Sequence, residues 1–117
     1  MMKQITEEVS ALVKNEYQRA AKAHGGAANT PHEGYALIKE EEEEAGDQMS
    51  LVSQKVTSLW WAVKVDDLSL QAGYLEEIRA AAVSGACELI QVAAMADKAI
   101  EGLKKLLGGG GVNTNKE

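Results

Sequence analysis

The chain has no phenylalanine, one proline and one cysteine, and aromatic residues make up only 4% of its 117 positions. A lone cysteine, Cys87, excludes an intramolecular disulfide and a cysteine-cage zinc site. A basic excess is missing too. The net charge is -6 and the pI is near 5.0, which argues against binding to a nucleic-acid backbone. No uninterrupted apolar run approaches the ~20 residues of a membrane span. The opening Met1-Met2-Lys3-Gln4 lacks the basic-then-apolar build of a signal peptide, so the expectation is a cytoplasmic protein without a membrane partner. What remains is a globular composition, 45% hydrophobic and 26% charged, at a length suited to a single domain.

Alanine, glutamate, lysine, leucine and glutamine dominate wherever glycine is absent, and β-branched residues never cluster. The fold class expected is therefore all-α. A first helix runs from about Ile5 to Ala23 and stops at His24-Gly25-Gly26, followed by a polar loop to Thr30. Thr30, Pro31 and Glu33 then form a helix start: an N-cap, a proline where its missing N–H costs nothing, and a capping-box glutamate.

The second helix is expected from His32 to about Lys64, with a seam of Ile38, Ala45, Met49, Val52, Val56, Leu59 and Val63 at steps of three, four or seven. Asp66-Asp67-Leu68-Ser69 reads as the turn. The third helix is expected from about Leu70 to Leu107, with a stripe of Leu75, Ile78, Ala82, Leu89, Val92, Ala96 and Leu103 and an interruption near Gly85. Its alanines permit close helix approach. The domain expected is 1–107, a bundle of long antiparallel helices, with a flexible glycine-rich tail over 108–117. Three long helices leave apolar edges for a second copy to cover, so a homodimer or homotetramer is expected.

Five glutamates, Glu40 to Glu44, lie inside the second helix. At ~100° per residue Glu42 falls on the stripe between Ile38 and Ala45, Glu41 lies beside it, and Glu44 follows one turn after Glu41. Such a run is either a solvated face or a set of inward carboxylates that a cation neutralises. Glu88 sits in the apolar stretch Cys87-Glu88-Leu89-Ile90-Gln91-Val92-Ala93, three residues before Gln91 on the same face. If the two helices pack side by side, Glu41, Glu44 and Glu88 converge. Three hard oxygen ligands with open positions suit Mg2+ or Mn2+ better than zinc.

At these residues the chain resembles the MazG-like all-α nucleotide pyrophosphohydrolases, particularly short, phage-type members. The resemblance is carried by the block His32 to Glu41 with Glu44, by the block Cys87 to Ala96, and by His24-Gly25 and Asn29-Thr30 ahead of them. It implies a helical bundle that cleaves a nucleoside triphosphate to monophosphate and pyrophosphate, using magnesium held by Glu-x-x-Glu on one helix and Glu-x-x-Asp on the next. The first motif maps onto Glu41 and Glu44, with Glu40 and Glu43 as an alternative register. The second maps onto Glu88, with Gln91 where the family has aspartate. The resemblance thus implies metal ligands Glu41, Glu44, Glu88 and Gln91, and Glu44 as the base that activates water.

His24, Asn29 and His32 flank the N-terminus of the second helix, where free N–H groups favour an anion. They and Lys39 are the candidate nucleotide-binding residues, or else ordinary loop and surface residues. Arg19 and Lys22 read as solvated. Adjacent Trp60 and Trp61 face different directions on a helix, so one is expected in the core and the other at an interface. Cys87 is expected to be a small buried apolar residue. The glycines at 108–111 form no phosphate loop, since no strand precedes them and no Gly-Lys-Ser/Thr follows. Beside the enzyme stand a non-catalytic helical interaction protein and a structural coiled-coil component with a solvated acidic stripe.

Overall fold

A computed structural model describes residues 1–109. Three α-helices account for nearly all of them: α1 (Met2–His24), α2 (Pro31–Lys64) and α3 (Leu68–Gly109). There is no strand among the described residues.

The breaks follow local chemistry. Gly25 adopts φ 90°, a conformation open to glycine, and its N–H closes α1 on the Ala21 carbonyl. Thr30 caps α2 by accepting the Glu33 N–H on Oγ1 at 3.1 Å. The Glu33 carboxylate reaches back to the Asn29 N–H at 2.6 Å, so the reciprocal arm of the capping box ends one residue before the cap. The turn between α2 and α3 is shorter than expected. Asp66 takes φ 56°, and Asp67 caps α3 through Oδ1 to the Leu70 N–H at 3.0 Å, so Leu68 and Ser69 are already helical. Gly85 does not interrupt α3, and Gly108 and Gly109 continue it. The rest of the expected tail, 110–117, lies outside the described residues.

The chain divides into two compact units. Among the described residues, the first comprises 1–41 together with 90–109. Here α1, the start of α2 and the end of α3 enclose Ala20, Ala94 and Met95, with Val13, Tyr17, Leu37 and Ile38 packed around them. The loop after α1 is sewn onto α3: the Ala28 N–H donates to the Lys98 carbonyl at 3.1 Å. Gly102 makes that approach possible, because a Cβ there would lie 2.2 Å from the Ala28 carbonyl oxygen.

The second unit, residues 42–89, is a hairpin of two helices. Its buried residues are alanines, Ala45, Ala62 and Ala81. Lys55 pairs with Glu77 at 2.8 Å, and Gln71 donates to the Ala62 carbonyl at 3.3 Å.

Both apolar stripes are rotated from their expected positions. Ala45 is buried and Val52 and Leu59 are half-buried, but Met49, Val56 and Val63 are exposed. In α3 the buried line is Ala81, Ala94, Met95, Lys98 and Gly102, whereas Leu75, Ala82, Leu89 and Leu103 are exposed. The helices meet over their smallest residues, which leaves the larger side chains on the flank. Both tryptophans are exposed, at 60% for Trp60 and 52% for Trp61, so neither fills a core. Cys87 is likewise exposed, because it faces away from both buried lines.

Although its uninterrupted apolar runs are short, α3 is by length and composition apolar enough to cross a membrane, with a mean hydropathy of 1.3 over 18 residues. The core helix of a soluble protein passes the same test.

Candidate metal centre

Glu41 and Glu44 occupy consecutive turns of α2, so the helical repeat alone puts their carboxylates on adjacent steps of one face. Glu88, on α3, meets them. One oxygen from each of the three lies within 4.8 Å of the others. Glu41 and Glu88 are half-buried and Glu44 is exposed. The remaining members of the acidic run, Glu40, Glu42 and Glu43, are exposed, so the inward edge passes through Glu41 rather than Glu42.

Electrostatics single out Glu44. Its hydrogen bond to Glu88, and the Glu88 charge itself, push the Glu44 carboxyl above the usual carboxylate range, with Asp47 adding to the effect. Carboxylates brought this close gather negative charge at one point. The donors are hard oxygens with one exposed side, the donor type that Mg2+ and Mn2+ prefer.

Gln91 lies one turn beyond Glu88 on α3, but its side chain is engaged elsewhere. It hydrogen-bonds Glu16 of α1, and Arg19 binds the same carboxylate from the helix surface. Arg19 first and Gln91 after it hold the Glu16 carboxyl below the usual range. Glu16 was invisible as a partner in the sequence, because its role depends on α1 packing against α3.

The candidate nucleotide-binding residues fall in separate places. His24 and Asn29 line a cavity of about 340 Å³ in the first unit, together with Gly25, Gly26, Gly102 and Lys105. Lys105 had no sequence signal, since it lies far along α3 from every motif. His32 and Lys39 are exposed on the first and third turns of α2 and do not line that cavity. The rise of α2 puts about 16 Å between its N-terminus and Glu41. Any one ligand that touches both His24–Asn29 and Glu41 must therefore lie extended along α2.

No protein-family profile, no curated protein and no solved structure matches this chain.

Proposed function

We propose that the chain is a MazG-like nucleotide pyrophosphohydrolase, cytoplasmic and homodimeric, that hydrolyses a nucleoside triphosphate or related nucleotide to monophosphate and pyrophosphate. The observation that carries this reading is the convergence of Glu88 with the distant Glu41 and Glu44, one carboxylate oxygen of each lying within 4.8 Å of the others. Mg2+ or Mn2+ held by these three carboxylates would offset their repulsion, neutralise the substrate phosphates and acidify a bound water.

The chain's own groups divide the remaining work. Glu44, the exposed member of the three, would be the general base, its carboxylate taking the proton of the water that attacks phosphorus. Glu41 and Glu88, both half-buried, act as fixed ligands. Gln91, one turn beyond Glu88, is the neutral fourth position of the set and would leave the site with three charged ligands. His24 and Asn29 hold the distal part of the nucleotide, with His32 and Lys39 along its course.

The test has two readouts. Millimolar Mn2+ or Mg2+ should raise the melting temperature, by the equivalent of about 1.4–2.7 kcal/mol at ten to one hundred times Kd, and Glu88→Ala should abolish the rise. Pyrophosphate should be released from at least one member of a nucleotide panel by the native chain and not by Glu88→Ala. No thermal shift with either ion and no pyrophosphate would sink the reading. The neutral Gln91, where the resembled family has aspartate, favours the second reading, a non-catalytic interaction protein that keeps the helical scaffold. A thermal shift without turnover would select it.

A further inference from the structure

Lys98 is the one charged residue buried among the described residues, at 8% exposure. It stands on the inward line of α3 between Met95 and Gly102, where the other members are alanine, methionine and glycine. Lysine is almost never buried to that degree without a counter-charge. Among the described residues, however, no ion pair or side-chain hydrogen bond holds the Lys98 ammonium. Two carboxylates of the first unit are committed elsewhere, Glu16 to Arg19 and Glu33 to the Asn29 N–H. No side-chain nitrogen among the described residues is both sealed from water and unpaired, so the ammonium keeps contact with solvent. The stem is packed and the tip is wet.

We infer that the Lys98 ammonium binds a phosphate of the nucleotide, the one that stays with the nucleoside when pyrophosphate leaves. The inference rests on the nucleotide reading above and adds to it the residue that holds the monophosphate half.

Placement supports it first. The Lys98 carbonyl accepts the Ala28 N–H at 3.1 Å, so Lys98 is level with the loop that supplies His24 and Asn29 to the cavity of about 340 Å³. Gly102, which lines that cavity, lies about 6 Å further along α3, and Glu88 lies about 15 Å back. The stem of a helical lysine leans toward the N-terminus of its helix, which here is toward Glu88. A nucleotide with its nucleoside in the cavity and its outgoing phosphates at the carboxylates therefore brings its innermost phosphate to the level of Lys98.

The energetics point the same way. An ammonium is a compact point charge that binds phosphate oxygens well. With its stem already packed, Lys98 has little rotamer freedom left to lose on binding. The fold gains nothing from the charge, since a methionine would follow the same course through the apolar line without an unpaired cation.

The experiment titrates the full chain with 2′-deoxynucleoside 5′-monophosphates in EDTA, so that no metal contributes, and follows the phosphate by phosphorus NMR. At least one monophosphate should bind the native chain. Lys98→Met should weaken that binding by about ten- to a hundredfold, the loss expected for one hydrogen bond to a charged group. Lys104→Met, which removes the same charge from an exposed position, should leave it unchanged. The second pKa of a free phosphate is about 6, and a bound phosphate beside an ammonium should titrate lower, because the cation favours the dianion. A residue that only packs its stem would not move that value. The pKa measurement needs no variant, so it decides even if Lys98→Met folds poorly.

Monophosphate that binds Lys98→Met as tightly as the native chain would overturn the assignment. So would a bound phosphate that titrates like free phosphate, or a native chain that binds no monophosphate. Each of these leaves the hydrolase reading standing if Mn2+ still raises the melting temperature and pyrophosphate is still released. Lys98-dependent binding of monophosphate without any release of pyrophosphate would support the assignment and overturn hydrolysis.

Discussion

The two units of the chain solve the same problem with different resources. In the first, three helical segments surround Ala20, Ala94 and Met95, so apolar side chains find neighbours on more than one side. In the second, two segments share a line of alanines, and Met49, Val56, Leu75 and Leu89 are left in water. The helices of the second are no less regular, since α2 and α3 run unbroken through both. Helix formation and core formation are therefore separable here. Propensity and caps are enough for the first, whereas the second needs a third side.

The contrast can be broken at its strong end. Met95→Ala removes the largest buried apolar side chain of the first unit and should cost about 2–4 kcal/mol, read by urea denaturation. A loss of only a few tenths would mean that the first unit is as thinly packed as the second. Next in size is Gly102→Ala, which drives a methyl into the Ala28 carbonyl and should cost about 1–3 kcal/mol. The same substitution at Gly73, where a Cβ meets nothing within 4 Å, should stabilise by about 0.5–1 kcal/mol. Opposite signs from one chemical change would sharpen the comparison, and equal signs would remove it.

Thr30→Ala should cost about 1 kcal/mol, because it takes the acceptor from the Glu33 N–H at the start of α2. The smallest effect belongs to the carboxylate pair. The Glu44 carboxyl is raised by Glu88, so the folded chain holds that proton more tightly than the unfolded chain. Its contribution is full below the ordinary carboxylate range and is lost as pH rises through the raised value. Without divalent ions, Glu44→Gln should therefore melt slightly higher than the native chain at neutral pH, by about a degree, and the advantage should vanish in acid. Saturating Mn2+ should reverse the order. If Glu44→Gln melts lower at neutral pH without metal, the repulsion is not there.

Much of this was legible in the residues. Gly25-Gly26 stops α1, Thr30-Pro31 starts α2, and Asp66-Asp67 makes the turn, because each acts through its own backbone and its nearest neighbours. The candidate cluster was half legible. Glu41 and Glu44 share a face by helical repeat alone, whereas the choice between Glu41–Glu44 and Glu40–Glu43 depends on which carboxylates reach Glu88. The faces of the helices were misread. Met49, Leu75 and Trp60 are apolar at helical spacing, which is what a core residue looks like, yet they are exposed. Spacing assigns residues to a common side; it does not say whether another helix covers that side.

Composition and local chemistry, then, determined an all-α chain, its three helices and nearly all their ends, since those depend on contacts a few residues apart. Tertiary packing decided the rest: that the helices approach over alanine and glycine, that Gln91 turns to Glu16, that Glu88 joins Glu41 and Glu44, and that Cys87 faces outward. Those outcomes depend on which helix lies against which, and small residues win that contest because they let backbones come closest and leave larger side chains to the flanks.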